Sequence, residues 1–183
     1  MINIIVACNR RGGIGFKNTI PWCLKGDMRY FKNLTEGTGN NSVIMGKNTW
    51  FSLPEKFKPL PNRSNIILSS TLENREINNN NVYIARTIDE VIDYCKYKNF
   101  DTNWVIGGSM LYASFLDSKK VKKIYKTEIE TDAICDTYFP RYDDYILSHS
   151  SKKMKENNIE YTFKTFIKQK ENEYLMMAHT GMF

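Results

Sequence analysis

A chain of 183 residues, 42% of them apolar, is long enough for one domain with its own hydrophobic core and needs no second. Its net charge of +6 raises the question of a polyanionic partner, but the lysines are scattered. The densest groups, Lys119, Lys120, Lys122 and Lys123 and then Lys152, Lys153 and Lys155, have no interleaved aromatic residues of the kind a single-strand nucleic-acid platform needs. No basic start followed by an apolar run opens the chain, and no apolar stretch approaches the roughly 18 residues of a membrane span. The expectation is a cytoplasmic monomer with neither nucleic acid nor membrane as partner. Cys8, Cys23, Cys95 and Cys135 lie far apart with no CxxC pair, which reads as reduced thiols. His149 and His179 stand apart from each other and from every cluster described below, so no metal site is expected.

In chain order, residues 2–7 read as a buried strand, 28–34 as a short helix, and 42–45 and 66–68 as strands. Pro54, Pro59 and Pro61 exclude 53–62 from any helix interior and make it a surface connection. The asparagine run 78–81 reads as a turn. Thr87 is placed to cap a helix that has Asp89 and Glu90 in its first turn and Ile88, Val91, Ile92 and Cys95 on one apolar face. A central strand follows at 104–106, then the break Gly107-Gly108, then an amphipathic helix marked by Met110, Leu111, Phe115 and Leu116. Extended runs at 123–129, 145–148 and 161–167 have little helical pattern between them. This order predicts an α/β fold: a mainly parallel central sheet, helices on both faces, and an antiparallel C-terminal edge.

Asp27 stands out as a candidate acid-base group. It follows Pro21, Trp22, Leu24 and Gly26 and precedes the apolar face Met28, Phe31 and Leu34. An aspartate at a helix start has an ordinary explanation in the helix dipole. A carboxylate walled by Trp22 and Phe31 would also hold a flat heterocycle through paired hydrogen bonds, and burial would raise its pKa. Three predicted strand ends lead into small or basic residues: Gly46-Lys47-Asn48-Thr49, Ser69-Ser70-Thr71 and Gly107-Gly108-Ser109. Amides at a helix start, helped by a lysine or hydroxyls, bind anions, and three such places in one chain point to a dinucleotide. Gly12, Gly13 and Gly15 do not complete GxGxxG, because Asn18 takes the last position.

Taken together, GIGFKNTIPWCLKGDMRYFK, VIMGKNTWFSL, PLPNRSNIILSS, WVIGGSMLY and DTYFP resemble, in order and spacing, the motifs of the dihydrofolate reductase family over residues 2–168. The resemblance implies NADPH as cofactor, dihydrofolate as substrate, and antifolates such as methotrexate and trimethoprim-like pyrimidines as inhibitors. It implies that Asp27 binds the pterin and supports protonation of N5 through a water that Trp22 helps to place. Ile5, Ala7, Met28, Phe31, Leu53 and Ile106 would line the folate pocket, Thr127 would support the carboxylate, and Arg63 would clasp the substrate's α-carboxylate. For the cofactor it implies Ala7, Ile14, Gly15, Asn18 and Ile20 in the loop; Gly46, Lys47, Asn48 and Thr49; Leu68, Ser69, Ser70 and Arg86; and Gly107, Gly108, Ser109, Met110, Leu111 and Tyr112, with a cis peptide at the glycine pair.

This sequence departs from the family pattern in places. Aspartate at 27 is the bacterial form, while the long SLPEKFKPLPNR connection is the eukaryotic one. Met110 and Lys47 stand where basic residues and arginine are frequent, which weakens the expected grip on cofactor phosphates. The reductase domain is expected at 1–170 and a terminal extension at 171–183, in which NEYL faintly resembles the start of a fused thymidylate synthase. The rival readings are a riboflavin-pathway pyrimidine reductase of the same fold, disfavoured by Asp27, Trp22 and Arg63, and a catalytically silent binding protein.

Overall fold

Alternation within the apolar runs sends successive side chains to opposite sides of a pleated strand, so each run here feeds two cores. The structure, a computed structural model, describes residues 1–73 and 81–169. In chain order its elements are β1 (Ile2–Asn9), β2 (Gly13–Gly15), α1 (Lys25–Glu36), β3 (Ser42–Gly46), α2 (Lys47–Ser52), a 3-10 turn at Glu55–Phe57, β4 (Ser64–Leu68) and β5 (Val82–Ala85). Then come α3 (Ile88–Tyr97), β6 (Asn103–Gly107), α4 (Ser109–Asp117), β7 (Val121–Glu130), β8 (Thr137–Tyr138), β9 (Tyr145–Ser150), β10 (Met154–Glu156) and β11 (Ile159–Lys168).

The main sheet has the order β10-β11-β7-β1-β6-β3-β4-β5, with β9 also paired to β11. Every neighbour from β7 to β5 is parallel, and β11 pairs antiparallel with β7, β9 and β10. The α/β class and the antiparallel C-terminal edge are those expected from the sequence. Ile4, Ile44, Ile66 and Val105 face one core, closed by Val91 and Cys95 of α3 and Leu111, Phe115 and Leu116 of α4. Ile5, Val43, Ile67 and Trp104, their chain neighbours, face the other, where Tyr30, Phe31 and Leu34 of α1 and Trp50 of α2 pack. Helices therefore cover both faces.

Thr87 caps α3 as expected, its hydroxyl accepting from the Glu90 amide at 3.1 Å. α1 is longer at both ends than the stretch 28–34. Leu24, 1% exposed, anchors its start in a third cluster with Trp22, Ile129 and Tyr161. Its far end stops at Gly37 (φ 52), and Asn41 Nδ2 donates to the carbonyl of Thr35 at 3.2 Å. The connection 53–62 is the expected surface link, tied down by Leu60 and carrying a cis Lys58–Pro59 bond. Besides the 3-10 turn, five elements were not anticipated from the sequence: α2, β5 and the short strands β2, β8 and β10. Of the asparagine run only Asn81 falls within the described residues, and the extension 171–183 and His179 fall outside them. The four cysteines are free, and among the described residues no helix is long and apolar enough to cross a membrane.

Candidate functional site

Parallel pairing sets Ala7 opposite Thr127 and Ile5 opposite Tyr125 in the middle of the sheet. α1 crosses this region and brings Asp27, in its first turn, against β7, where the Thr127 hydroxyl donates a hydrogen bond to the Asp27 carboxylate. Burial raises the pKa of that carboxyl; the Thr127 bond pulls it down, and the charge of Glu156 raises it further. Trp22 is 9% exposed, and its Nε1–H is buried without a protein partner. Ala7 packs in the same cluster as Trp22. A buried carboxyl thus meets a hydroxyl between the start of α1 and β7.

Four of the residues expected in the folate pocket, Ile5, Phe31, Leu53 and Ile106, join one cluster. Met28 is 55% exposed and belongs to none. Arg63 lies with its guanidinium carbon 5.9 Å from the centre of the Phe31 ring. Its fork is held by the structure: Nε donates to the Pro61 carbonyl at 2.9 Å, and Nη1 donates to Thr35 Oγ1, which in turn donates to the Phe31 carbonyl at 2.7 Å. Nη2 stands 3.5 Å from Glu36 Oε1, near enough for charge pairing, although that oxygen makes no hydrogen bond. The arginine is therefore anchored at the far end of α1 from Asp27, with its orientation fixed by three contacts.

The second half of the site follows from strand register. Gly46 pairs with Leu68, Leu68 with Ala85, and Met45 with Gly107, so β3, β4, β5 and β6 end along one line. α2 and α4 begin there, and their N-caps, Gly46 and Gly108, offer no side chain to the first amides. Gly107 has φ 131 and the Gly107–Gly108 bond is cis, as the resemblance implies. A Cβ on Gly107 would lie 3.3 Å from Thr49 Oγ1 at a φ that L side chains rarely adopt, which favours bare backbone at this point. Arg86 Nη1 donates to the Ser69 carbonyl at 2.7 Å, joining the ends of β4 and β5. Ser70 and Asn48 are exposed and Lys47 is half-buried.

The Ser69 hydroxyl is engaged in its own turn, accepting from the amides of Thr71 and Leu72. Leu111 packs into the core, while Met110 is 84% exposed. Tyr112 is buried, and its hydroxyl donates to the Ile5 carbonyl at 2.9 Å, tying α4 to the central strand next to the glycine pair.

The expected loop residues Gly15, Asn18 and Ile20 lie in and after β2, with Asn18 exposed at φ 61 and Ile20 65% exposed. Ile14 packs against the core shared with α3 and α4. β2 pairs with β8, and Asp136 locks the contact: its amide donates to the Gly15 carbonyl at 3.0 Å, and its Oδ2 accepts from the Lys17 amide at 2.8 Å. No role was assigned to Asp136 from the sequence, although it opens the motif DTYFP. Thr35 and Glu156 were also missed, because their partners are far away in the chain.

Residues 1–168 match the family model described as dihydrofolate reductase. The chain is 35% identical to the dihydrofolate reductase of Heliothis virescens over 179 residues, which covers 91% of this chain and 97% of that protein. It is 38% identical to the Schistosoma mansoni dihydrofolate reductase over 150 residues, covering 78% and 79% respectively. It is 33% identical to bifunctional dihydrofolate reductase-thymidylate synthase 2 of Arabidopsis thaliana over 179 residues, 92% of this chain but 32% of that protein. With its fold, its carboxyl site and these similarities, the chain belongs to the dihydrofolate reductase family of oxidoreductases.

Proposed function

We infer that the chain reduces 7,8-dihydrofolate to 5,6,7,8-tetrahydrofolate, with NADPH as the hydride source. The observation that carries this reading is the Asp27 carboxyl, held by Thr127 in a position where burial favours its protonated form. A pterin offers an amino group and a ring nitrogen side by side, which match the two oxygens of one carboxylate. NADPH, when bound, supplies the hydride to C6 of the substrate. Asp27 binds the pterin and favours proton delivery to N5, and the Trp22 indole orients the water that carries this proton. Ile5, Phe31, Leu53 and Ile106 exclude bulk water from the rings and hold them face to face.

The line of strand ends fits a dinucleotide, since the glycines leave backbone bare and α4 begins without a side-chain cap. Lys47, Thr49, Ser70 and Arg86 would hold its phosphates there, and Gly107, Gly108 and Tyr112 would border the nicotinamide. Arg63, its fork already oriented, takes the α-carboxylate of the substrate's glutamate. Antifolates that present a diamino-heterocycle would occupy the same carboxylate. A spectrophotometric assay tests the reading: NADPH is expected to be oxidised only when dihydrofolate is also present, and oxidation that ignores dihydrofolate would contradict it.

A further inference from the structure

Glu156 ends β10, just before the turn into β11, yet both of its carboxylate oxygens serve α1. Oε1 accepts from the Lys25 amide at 2.7 Å and Oε2 from the Gly26 amide at 2.9 Å. A helix start leaves its first amides unpaired and carries partial positive charge, which a local N-cap side chain ordinarily satisfies. Here the N-cap is Leu24, which provides no such bond, and the cap comes from a residue 130 positions away. The fit is close. A Cβ at Gly26 would stand 2.0 Å from the Tyr161 hydroxyl oxygen and 3.4 Å from Glu156 Oε2, so hairpin and helix meet with no room for a side chain at position 26. Asp27 is the next residue.

We propose that Glu156 is a positioning residue for the reductase chemistry: by capping the Lys25 and Gly26 amides it locks the first turn of α1 against the β10–β11 hairpin and sets its own charge on the positive helix end beside Asp27. The inference rests on the reading of Asp27 as the group that manages the substrate's proton. An uncompensated helix start stabilises a neighbouring carboxylate in its charged form, and a second negative charge opposes that ionisation, so both effects of Glu156 act in one direction. The other groups around Asp27 do not duplicate it. Thr127 on β7 donates to the carboxylate and favours the charged form, Tyr30 on α1 and Tyr161 on β11 are neutral phenols, and Lys25 and Arg29 on α1 are cations. The amides of Gly26 and Lys25 hold Glu156 itself below the usual carboxylate range, which favours its charged form.

The test is Glu156→Gln in the full chain, with two readouts: the pH profile of kcat/KM for dihydrofolate, and direct titration of Asp27 by carbon NMR of labelled aspartate, assigned with Asp27→Asn. The proton affinity of Asp27 is expected to fall about three- to tenfold, with the activity limb moving to lower pH by the same factor. An unmoved titration midpoint, or a loss of activity equal at every pH, would reduce Glu156 to a structural cap and overturn the proposal. If the glutamine variant does not fold, Glu156→Asp, which withdraws the charge by one methylene, must shift the midpoint in the same direction by less; no shift overturns the proposal again. The two readings fail separately, because an Asp27→Asn variant that stays active removes the role of Asp27, whereas the NMR midpoint reports on Glu156 whatever the activity.

Discussion

The hydroxyl of Thr127, 2% exposed on β7, donates to the carboxylate of Asp27 on α1, and this bond opposes the effect of burial on the same group. A hydrogen bond given to the charged form favours that form. Thr127→Val keeps the shape and removes the donor, so the Asp27 pKa is expected to rise and the activity limb to move to higher pH. The pH profile of kcat/KM checks this, and a limb that moved to lower pH would mean that the hydroxyl does not serve the charged carboxylate.

Arg63 and Glu36 make an opposed pair at the other end of α1. Arg63→Ala is expected to raise KM for dihydrofolate roughly ten- to a hundredfold, the equivalent of one charge-assisted hydrogen bond, with little change in turnover, because the substrate tail is bound alike in ground and transition states. Glu36 Oε1 at 3.5 Å from Nη2 already offsets part of the guanidinium charge. Glu36→Gln is therefore expected to lower KM for dihydrofolate severalfold while leaving KM for a pterin without a glutamate tail unchanged. Equal effects on both substrates would place Glu36 outside the tail's environment.

The bond from the Lys17 amide holds the Asp136 carboxyl below the usual aspartate range. A depressed folded-state pKa adds stability above the unfolded value of about 3.9 and loses it as pH falls through the lowered value. Asp136→Ala removes the lock between β2 and β8. Exchange of the Lys17 amide is expected to quicken about tenfold, and turnover to fall with it if the segment around Ile20 closes over the nicotinamide. Amide exchange measured by NMR decides the first point and steady-state kinetics the second.

Gly107 holds φ 131 with Thr49 close by. Gly107→Ala combines a backbone conformation unfavourable to L side chains with a contact of 3.3 Å, and is expected to cost roughly 1–3 kcal/mol of stability in a denaturant titration. A neutral result would show that this turn relaxes freely.

Much of this arrangement was legible in the sequence because its causes are local. The run of apolar residues gave β1, and Thr87 with Glu90 gave the start of α3. Val82–Ala85 escaped because four residues after a polar run show no period of their own. α2 escaped because six residues opening with Lys-Asn-Thr read equally well as an anion-binding turn. β2 and β8 exist only through their mutual register. The site shows the same division. Asp27, Trp22 and Arg63 sit in recognisable motifs, whereas the contacts that orient them are tertiary. Glu156 reaches Gly26 and Arg63 reaches Thr35 over 130 and 28 positions, and no local pattern encodes such pairs.

The most direct measurement is turnover of Asp27→Asn with NADPH and dihydrofolate at neutral and acid pH, alongside NADPH affinity. The substitution keeps the size of the side chain and removes its ionisable proton. Activity at pH 7 is expected to fall by about a hundredfold or more, with partial recovery in acid and unchanged NADPH affinity. Neutral-pH activity within about threefold of the unsubstituted protein, a barrier change under ~1 kcal/mol, would contradict the assignment of Asp27 and with it the account of the proton.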